Sequence, residues 1–386
     1  MAKPYIKRIL AGIIGLAVLV VLILHYVVLP YVDSSYNRVV TTKAIKVTPQ
    51  TREFHEKAFI ADLHADSLLW ARDLRVRYQR GHVDLPRLKD GAVDLQVFSV
   101  VTRVPKKRNY HSTPDVNDSL PLLFFAAWRS PVTWFSARFR ALAQAEELRQ
   151  LTSETELNLV LDRKSLNQDG PKALLALEGM HALEGRESAL QQLHAAGYRM
   201  MGLAHHFDND VAGSAHGVEK YGLTPFGQKM VEDMQTMGIT IDLAHASRQA
   251  FDDALEIAGK PVVVSHGGVQ GTCPGPRNLS DNQLRRIAQN TGVVGIGYWK
   301  GATCDNSVQG IVAAILHVIE VAGIDTVALG SDFDGNVSVP FDVADLSVLT
   351  QALFEAGLSH RDVEKVLGGN VRRVLEMNLP DSSATN

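Results

Sequence analysis

Eight side chains suited to metal binding or proton transfer follow short apolar runs in this sequence. His64 and Asp66 come after 58–63, Glu178 after 173–177, His205 after 200–204, His245 after 239–244, His266 after 261–265, and Asp332 with Asp334 after 326–330. Any one of them has an ordinary reading as a hydrogen-bonded core or surface group, and Asp332 reads equally as a helix cap in Ser-Asp-Phe-Asp-Gly. Their recurrence at one register is harder to explain that way, because the ordinary reading must be invoked anew for each run. Imidazole and carboxylate ligands suit zinc and similar divalent ions, and the absence of Cys from the set argues against a closed structural site. In His64-Ala65-Asp66 the two ligands are two residues apart, so at a strand end both point to one side. A carboxylate can bridge two ions about 3.5–4 Å apart that share and acidify one water, and Glu178 is the natural bridge.

The elements that must position these groups alternate. Two further apolar runs, 93–101 and 293–298, bring the strand candidates to eight, and helical patterns at 188–196, 226–237 and 248–258 fall between them. Such a succession within 386 residues predicts a parallel sheet closed into a (β/α)8 barrel, with a doubly wound open sheet as the alternative. In a barrel the carboxyl ends of the strands share one face, which would gather the eight groups into one pocket. Tyr298, ending the seventh run, is expected to line it. His181 and His206 read as ligand-orienting groups or as ordinary hydrogen-bonding residues. His55, His82, His111, His194, His216, His317 and His360 fit no ligand register.

Outside the barrel the composition is also informative. With 39 basic and 42 acidic residues the net charge is −3, which excludes a global positive field for nucleic acid. Residues 9–32 contain no Asp, Glu, Lys or Arg, and about 20 apolar residues suffice to cross a bilayer. Lys3, Lys7 and Arg8 precede them, so the positive-inside rule predicts a cytoplasmic N-terminus and an extracytoplasmic remainder. No small-residue cleavage site follows, unlike a signal peptide. The expected organisation is a cytoplasmic segment 1–8, a transmembrane anchor 9–32, a tether 33–50, a catalytic domain 51–378 and a polar tail 379–386. An insertion at 103–150 interrupts the domain; its first part, 103–140, carries seven basic and two acidic residues among Phe124, Phe125, Trp128, Trp134 and Phe135. It reads as a membrane-surface segment, or as a helical excursion packed on the barrel or on a partner subunit. Cys273 and Cys304 are compatible with one bridge or with two buried thiols.

The motifs occur in a fixed order: Asp-Leu-His64-Ala-Asp66, Asp84-Leu-Pro86, Leu-Glu178-Gly, Leu-Ala-His205, Ile-Asp-Leu-Ala-His245-Ala-Ser, Val-Ser-His266, Arg277-Asn278, Gly-Ser-Asp332-Phe-Asp334-Gly and Gly-Gly-Asn370. The set resembles the membrane dipeptidase family of zinc metallopeptidases, which includes the renal enzyme, from about Phe59 to Val374. The resemblance implies a binuclear zinc centre that hydrolyses dipeptides with a free C-terminal carboxylate. It implies His64 and Asp66 on one zinc, His245 and His266 on the other, and Glu178 as the bridge. It further implies His205 as the group polarising the substrate carbonyl, Arg277 as the carboxylate receptor, Asp332 as the proton relay, a Cys273–Cys304 disulfide and a homodimer. The family often carries Leu-Pro-Trp after the first motif where this chain has Ser67-Leu68-Leu69-Trp70, so the aromatic wall is expected to be displaced. The family's mammalian member has a C-terminal lipid anchor, whereas here the apolar segment lies at the N-terminus. Two other readings follow from the same residues: a related zinc amidohydrolase acting on a β-lactam or an N-acyl amino acid, and a non-catalytic binding protein.

Overall fold

A computed structural model describes residues 3–40, 45–107 and 109–381. Part of the expected tether (41–44), one insertion residue (108) and most of the polar tail (382–386) lie outside the described residues. The eight apolar runs form β1 (Ala61–Ala65), β2 (Leu95–Val101), β3 (Lys172–Glu178), β4 (Tyr198–Gly202), β5 (Thr240–Asp242), β6 (Val263–Gly267), β7 (Val293–Ile296) and β8 (Val327–Leu329). Neighbours pair in parallel in the order β2, β1, β8, β7, β6, β5, β4, β3, and β2 pairs with β3 to close the ring. Seven consecutive pairs, from Leu95 opposite Lys172 to Val101 opposite Glu178, make that closing seam. The open-sheet alternative is thereby excluded. Every residue of β1 to β8 is buried, because the inner face packs in the barrel and the outer face meets helices.

Helices return the chain from each strand end, and their starts are written locally. The side chains of Thr224, Ser247, Ser280 and Ser307 accept from backbone N–H groups in the first turns of Pro225–Thr236, Arg248–Ile257, Asp281–Gln289 and Val308–Ala322. Some expected boundaries shift. The run 58–63 is strand only from Ala61, because Ala58 closes the preceding helix through its N–H to Phe54 O, and β1, β3 and β6 run on to include His64, Glu178 and His266. At β8, Gly330 is required by crowding, since a Cβ there would stand 2.0 Å from Ser265 O.

A nearly continuous helix begins the chain, running Lys3–Ile23, through a π-helical turn Leu24–Val28, to Leu29–Tyr36. Within it Lys7–Tyr36, whose most apolar 18-residue stretch has a mean hydropathy of 2.8, is the one helix among the described residues long and apolar enough to cross a membrane. The expected tether is built into the fold. Asp33 is fully buried, within 3.0 Å of Arg80 Nε and 3.4 Å of Arg72 Nε. Arg38–Val39 pairs in parallel with Ser338–Val339, and Pro49–Lys57 is a helix capped by Thr48. A carboxylate placed just past an apolar span needs a partner when buried, and two guanidiniums from the barrel supply it.

The insertion folds as helices Leu120–Ala126, Val132–Phe135 and Ala137–Glu154 packed on the barrel. Much of its basic charge turns inward: Arg140 pairs with Asp118 and donates to Thr102 O, while Arg129 pairs with Glu147 at 2.7 Å. Cys273 and Cys304 are disulfide-bonded, tying the segment after β6 to the segment after β7. Cross-linking a loop with a sequence separation of 31 restricts the unfolded chain, so Cys273→Ser is expected to lower stability by about 3–4 kcal/mol. Denaturant titration of both proteins measures this, and an unchanged midpoint would contradict it.

Candidate metal centre

The strand ends bring the candidate ligands together. Glu178 is the last residue of β3, and His64 and His266 lie within β1 and β6. His205, His245 and Asp332 each sit three residues beyond β4, β5 and β8, which end at Gly202, Asp242 and Leu329. His64 Nε2 is 3.5 Å from Asp66 Oδ1, 3.8 Å from Glu178 Oε1 and 3.9 Å from Asp332 Oδ1. His245 Nε2 is 3.0 Å from the same Glu178 oxygen and 3.0 Å from His266 Nε2. His266 Nε2 lies 3.5 Å from Glu178 Oε1, and His205 Nε2 lies 3.5 Å from Oε2. One carboxylate thus faces four imidazoles.

Backbone strain helps aim these groups. His245 and Asp332 hold φ of 62° and 61°, in the left-handed region, at a cost on the order of 1–3 kcal/mol each. Gly179, next to Glu178, has φ 83° and leaves no room for a side chain, since a Cβ would stand 2.9 Å from His205 Cβ.

Beneath the ligands a polar layer sets their protonation. Ser265 Oγ donates to Asp242 Oδ2 at 2.6 Å, so toward His266 Nδ1 at 3.0 Å and His64 Nδ1 at 3.4 Å it acts as acceptor. That assigns the ring protons to Nδ1 and leaves the Nε2 lone pairs of His64 and His266 directed at Glu178. Burial pushes His245 well below the ordinary imidazole range, helped by the charge of Arg277, and does the same to His266, helped by His64. Burial, then the charge of Asp66, pushes Glu178 well above the ordinary carboxylate range. Without a cation the site therefore opposes its own charge. A divalent ion removes the conflict, because it favours deprotonated carboxylates and neutral imidazoles together. Three overlapping groups could hold one: His64, Asp66 and Glu178; Glu178, His205 and His245; and His64, His266 and Asp332. Buried His64 Nε2, which has no hydrogen-bond partner, fits this reading.

Asp66, Glu178, His205, His245, His266 and Asp332 floor a cavity of about 380 Å³, within the range of small-molecule sites. Arg277 reaches its wall from the loop after β6, held by Nη2 donating to His266 O at 2.7 Å, while its buried Nε has no hydrogen-bond partner. Tyr298 does not line the cavity. It is fully buried against Phe333 and Phe341, and its successor Trp299 faces the site instead, the opposite side in an extended chain. Trp70 also lines the cavity, fixed by Nε1 donating to Asp334 O at 2.7 Å, so the aromatic wall is present despite the altered motif. Asp334 itself turns away from the metal groups to accept from Ser67 Oγ at 2.6 Å and His82 N at 2.7 Å, beside Arg72. His206 and His216 line the cavity near His245, and His216 had no visible signal, since it lies in a loop far from any strand. His181 lies apart, packed edge-on against Phe207.

Comparison with known proteins agrees with this architecture. The profile of the membrane dipeptidase family, peptidase family M19, matches residues 48–383. Dipeptidase tcpJ of Claviceps purpurea is 32% identical over 305 residues, covering 76% of this chain and 69% of that protein. A metallopeptidase from Rhodobacter sphaeroides, solved with a phosphinate mimic of the dipeptide L-Ala-D-Ala, superposes with a TM-score of 0.68 at 24% identity, over 83% of this chain and 99% of its own. The probable dipeptidase PvdM from Pseudomonas aeruginosa gives 0.71 at 19% identity, over 85% and 97%. Those two structures speak for the fold, and the profile match speaks for descent: the chain belongs to the membrane dipeptidase family of metallopeptidases, peptidase family M19.

Proposed function

We propose that this chain is a membrane-anchored binuclear zinc dipeptidase that cleaves dipeptides with a free C-terminal carboxylate on the extracytoplasmic side. The observation that carries the reading is Glu178, a buried carboxylate facing four imidazoles on the floor of a cavity that also holds an unpaired guanidinium nitrogen. The dipeptide mimic bound by the Rhodobacter sphaeroides relative supports the substrate class. The exposed apolar part of the N-terminal helix ahead of its barrel contacts, residues 7–23, supports the anchor, and Lys7 and Arg8 at its start support a cytoplasmic N-terminus.

His64 and Asp66 would hold one zinc, His245 and His266 the other, with Glu178 between them. Zinc bound there would supply Lewis acidity and a lowered pKa for water. Arg277 receives the substrate carboxylate, for which a planar guanidinium is matched in shape and charge. His205 donates to the carbonyl oxygen as negative charge grows on it. Asp332 takes the proton of the attacking water as the C–O bond forms and the carbonyl becomes a tetrahedral oxyanion, and returns it to the amine nitrogen as that adduct collapses and the C–N bond breaks, so that no net proton is consumed at that carboxylate.

A chelator is expected to abolish hydrolysis and Zn²⁺ to restore it. Glu178→Gln should lose more activity than the about 10–100-fold typical of an outer-shell partner, and full turnover by metal-free protein would sink the reading. Arg277→Gln is expected to cut kcat/KM for dipeptides by about 10–100-fold, the cost of a hydrogen bond to a charged group. Dipeptide amides, which lack the carboxylate, should be poor substrates of the wild type. Equal cleavage of acids and amides would redirect the assignment to another amide.

A further inference from the structure

The cavity above Glu178 is not closed by the barrel alone. Leu24, Val28, Val32 and Tyr36, spaced by four residues, form one stripe of the N-terminal helix, and all four line it. The next stripe holds that helix in place. His25 Nδ1 lies 2.9 Å from Ala126 O and its ring stacks on Trp128 at 3.8 Å; Leu29 is buried; Asp33 meets Arg72 and Arg80. Facing the lining stripe are Leu69 and Trp70 after β1, Val101 and Val104 at the end of β2, and Leu120 and Leu123 of the insertion. This side of the cavity is mostly apolar, with Lys106 and Ser119 as its polar members, whereas the metal-binding groups and Arg277 occupy the other side.

The ring order says which part of a substrate meets the apolar half. In an eight-membered ring β2 stands across from β6, four strands away by either route. Arg277 follows β6, and the helix stripe lies over the ends of β8, β1 and β2. A dipeptide with its carboxylate on Arg277 must therefore direct its amino-terminal residue at the helix. We propose that the 24–36 segment of the anchor helix is a wall of the substrate pocket, and that it selects dipeptides carrying a large apolar side chain on the amino-terminal residue. The assignment of which residue meets the wall rests on the dipeptidase reading above.

The test uses the full-length protein in lipid nanodiscs. Val28→Thr with Val32→Thr keeps the shape of the stripe and makes it polar. For dipeptides sharing one C-terminal residue, the ratio of kcat/KM with Leu first to kcat/KM with Gly first is expected to fall about tenfold, the scale on which apolar pockets discriminate. The same shift is expected in the Kd ratio of the corresponding phosphinate analogues, which needs no turnover. Independently, a photoreactive benzoylphenylalanine at position 28 should cross-link to the 101–123 peptide, and the Leu phosphinate should suppress that product more than the Gly phosphinate. Ratios unchanged by the double substitution, or cross-links from position 28 to lipid alone, would overturn the wall. A wild type that turns over no dipeptide but binds the Leu phosphinate better and cross-links 101–123 would fault the reaction and keep the wall. A wild type that cleaves Gly and Leu dipeptides equally well would fault the wall and keep the reaction.

Discussion

The structure is organised around a crowding of lone pairs at Glu178. A buried carboxylate with imidazole nitrogens at 3.0, 3.5, 3.5 and 3.8 Å, and with Asp66 and Asp332 beside the same His64, is stable only as the shell of a cation or by taking up protons. Holding that shell demands a frame that does not relax. The closed ring supplies it, since the groups around Glu178 are spread over β1, β3, β4, β5, β6 and β8 and no strand can shift without moving its two neighbours. The seam from Leu95 to Val101 ends at Glu178 itself, so the most heavily contacted ligand is fixed by the longest register in the barrel. Left-handed turns at His245 and Asp332 and the bare backbone at Gly179 are the local costs of aiming six elements at one point.

Protonation is set one layer down. Asp242 accepts a hydrogen bond from the hydroxyl of Ser265, and that single bond leaves Ser265 as an acceptor for two histidines at once. The consequence is that His64 and His266, three strands apart in the ring, share one determinant of tautomer. Nothing about a lone serine between a valine and a histidine in the sequence announces this.

The barrel and its ligands were legible because the relevant signals are local. Runs of apolar residues buried on both faces mark parallel strands, and a polar residue at the end of each run marks a common face, which is why His64, Asp66, Glu178, His205, His245 and His266 read as one group in the sequence and meet around one point in the structure. Register at a single position is less secure. Tyr298 and Trp299 are both aromatic, adjacent and at a strand end, and only the ring geometry says which one faces inward. Asp334 shares the register of a ligand but is claimed by Arg72, Ser67 and His82, partners from distant parts of the chain. The stretch 33–50 reads in the sequence as a tether between the apolar segment and the folded domain, yet Asp33 and Arg38–Val39 are secured by residues that follow them by about 40 to 300 positions. Long-range pairing of polar groups is the part of a fold that composition and periodicity describe least.

The seating of the N-terminal helix carries an implication for how this segment can change over time. Its contacts through His25, Leu29 and Asp33 recur every four residues, and each residue added to or removed from a helix turns everything beyond it by about 100°. A single insertion or deletion between positions 25 and 33 would swing Asp33 away from Arg72 and Arg80, whereas exchanges among Ile, Val and Leu upstream of His25 disturb none of these contacts. The helix is therefore free in composition upstream of His25 and constrained in length from His25 to Asp33, and related chains that share this seat should not differ by insertions or deletions between those two positions.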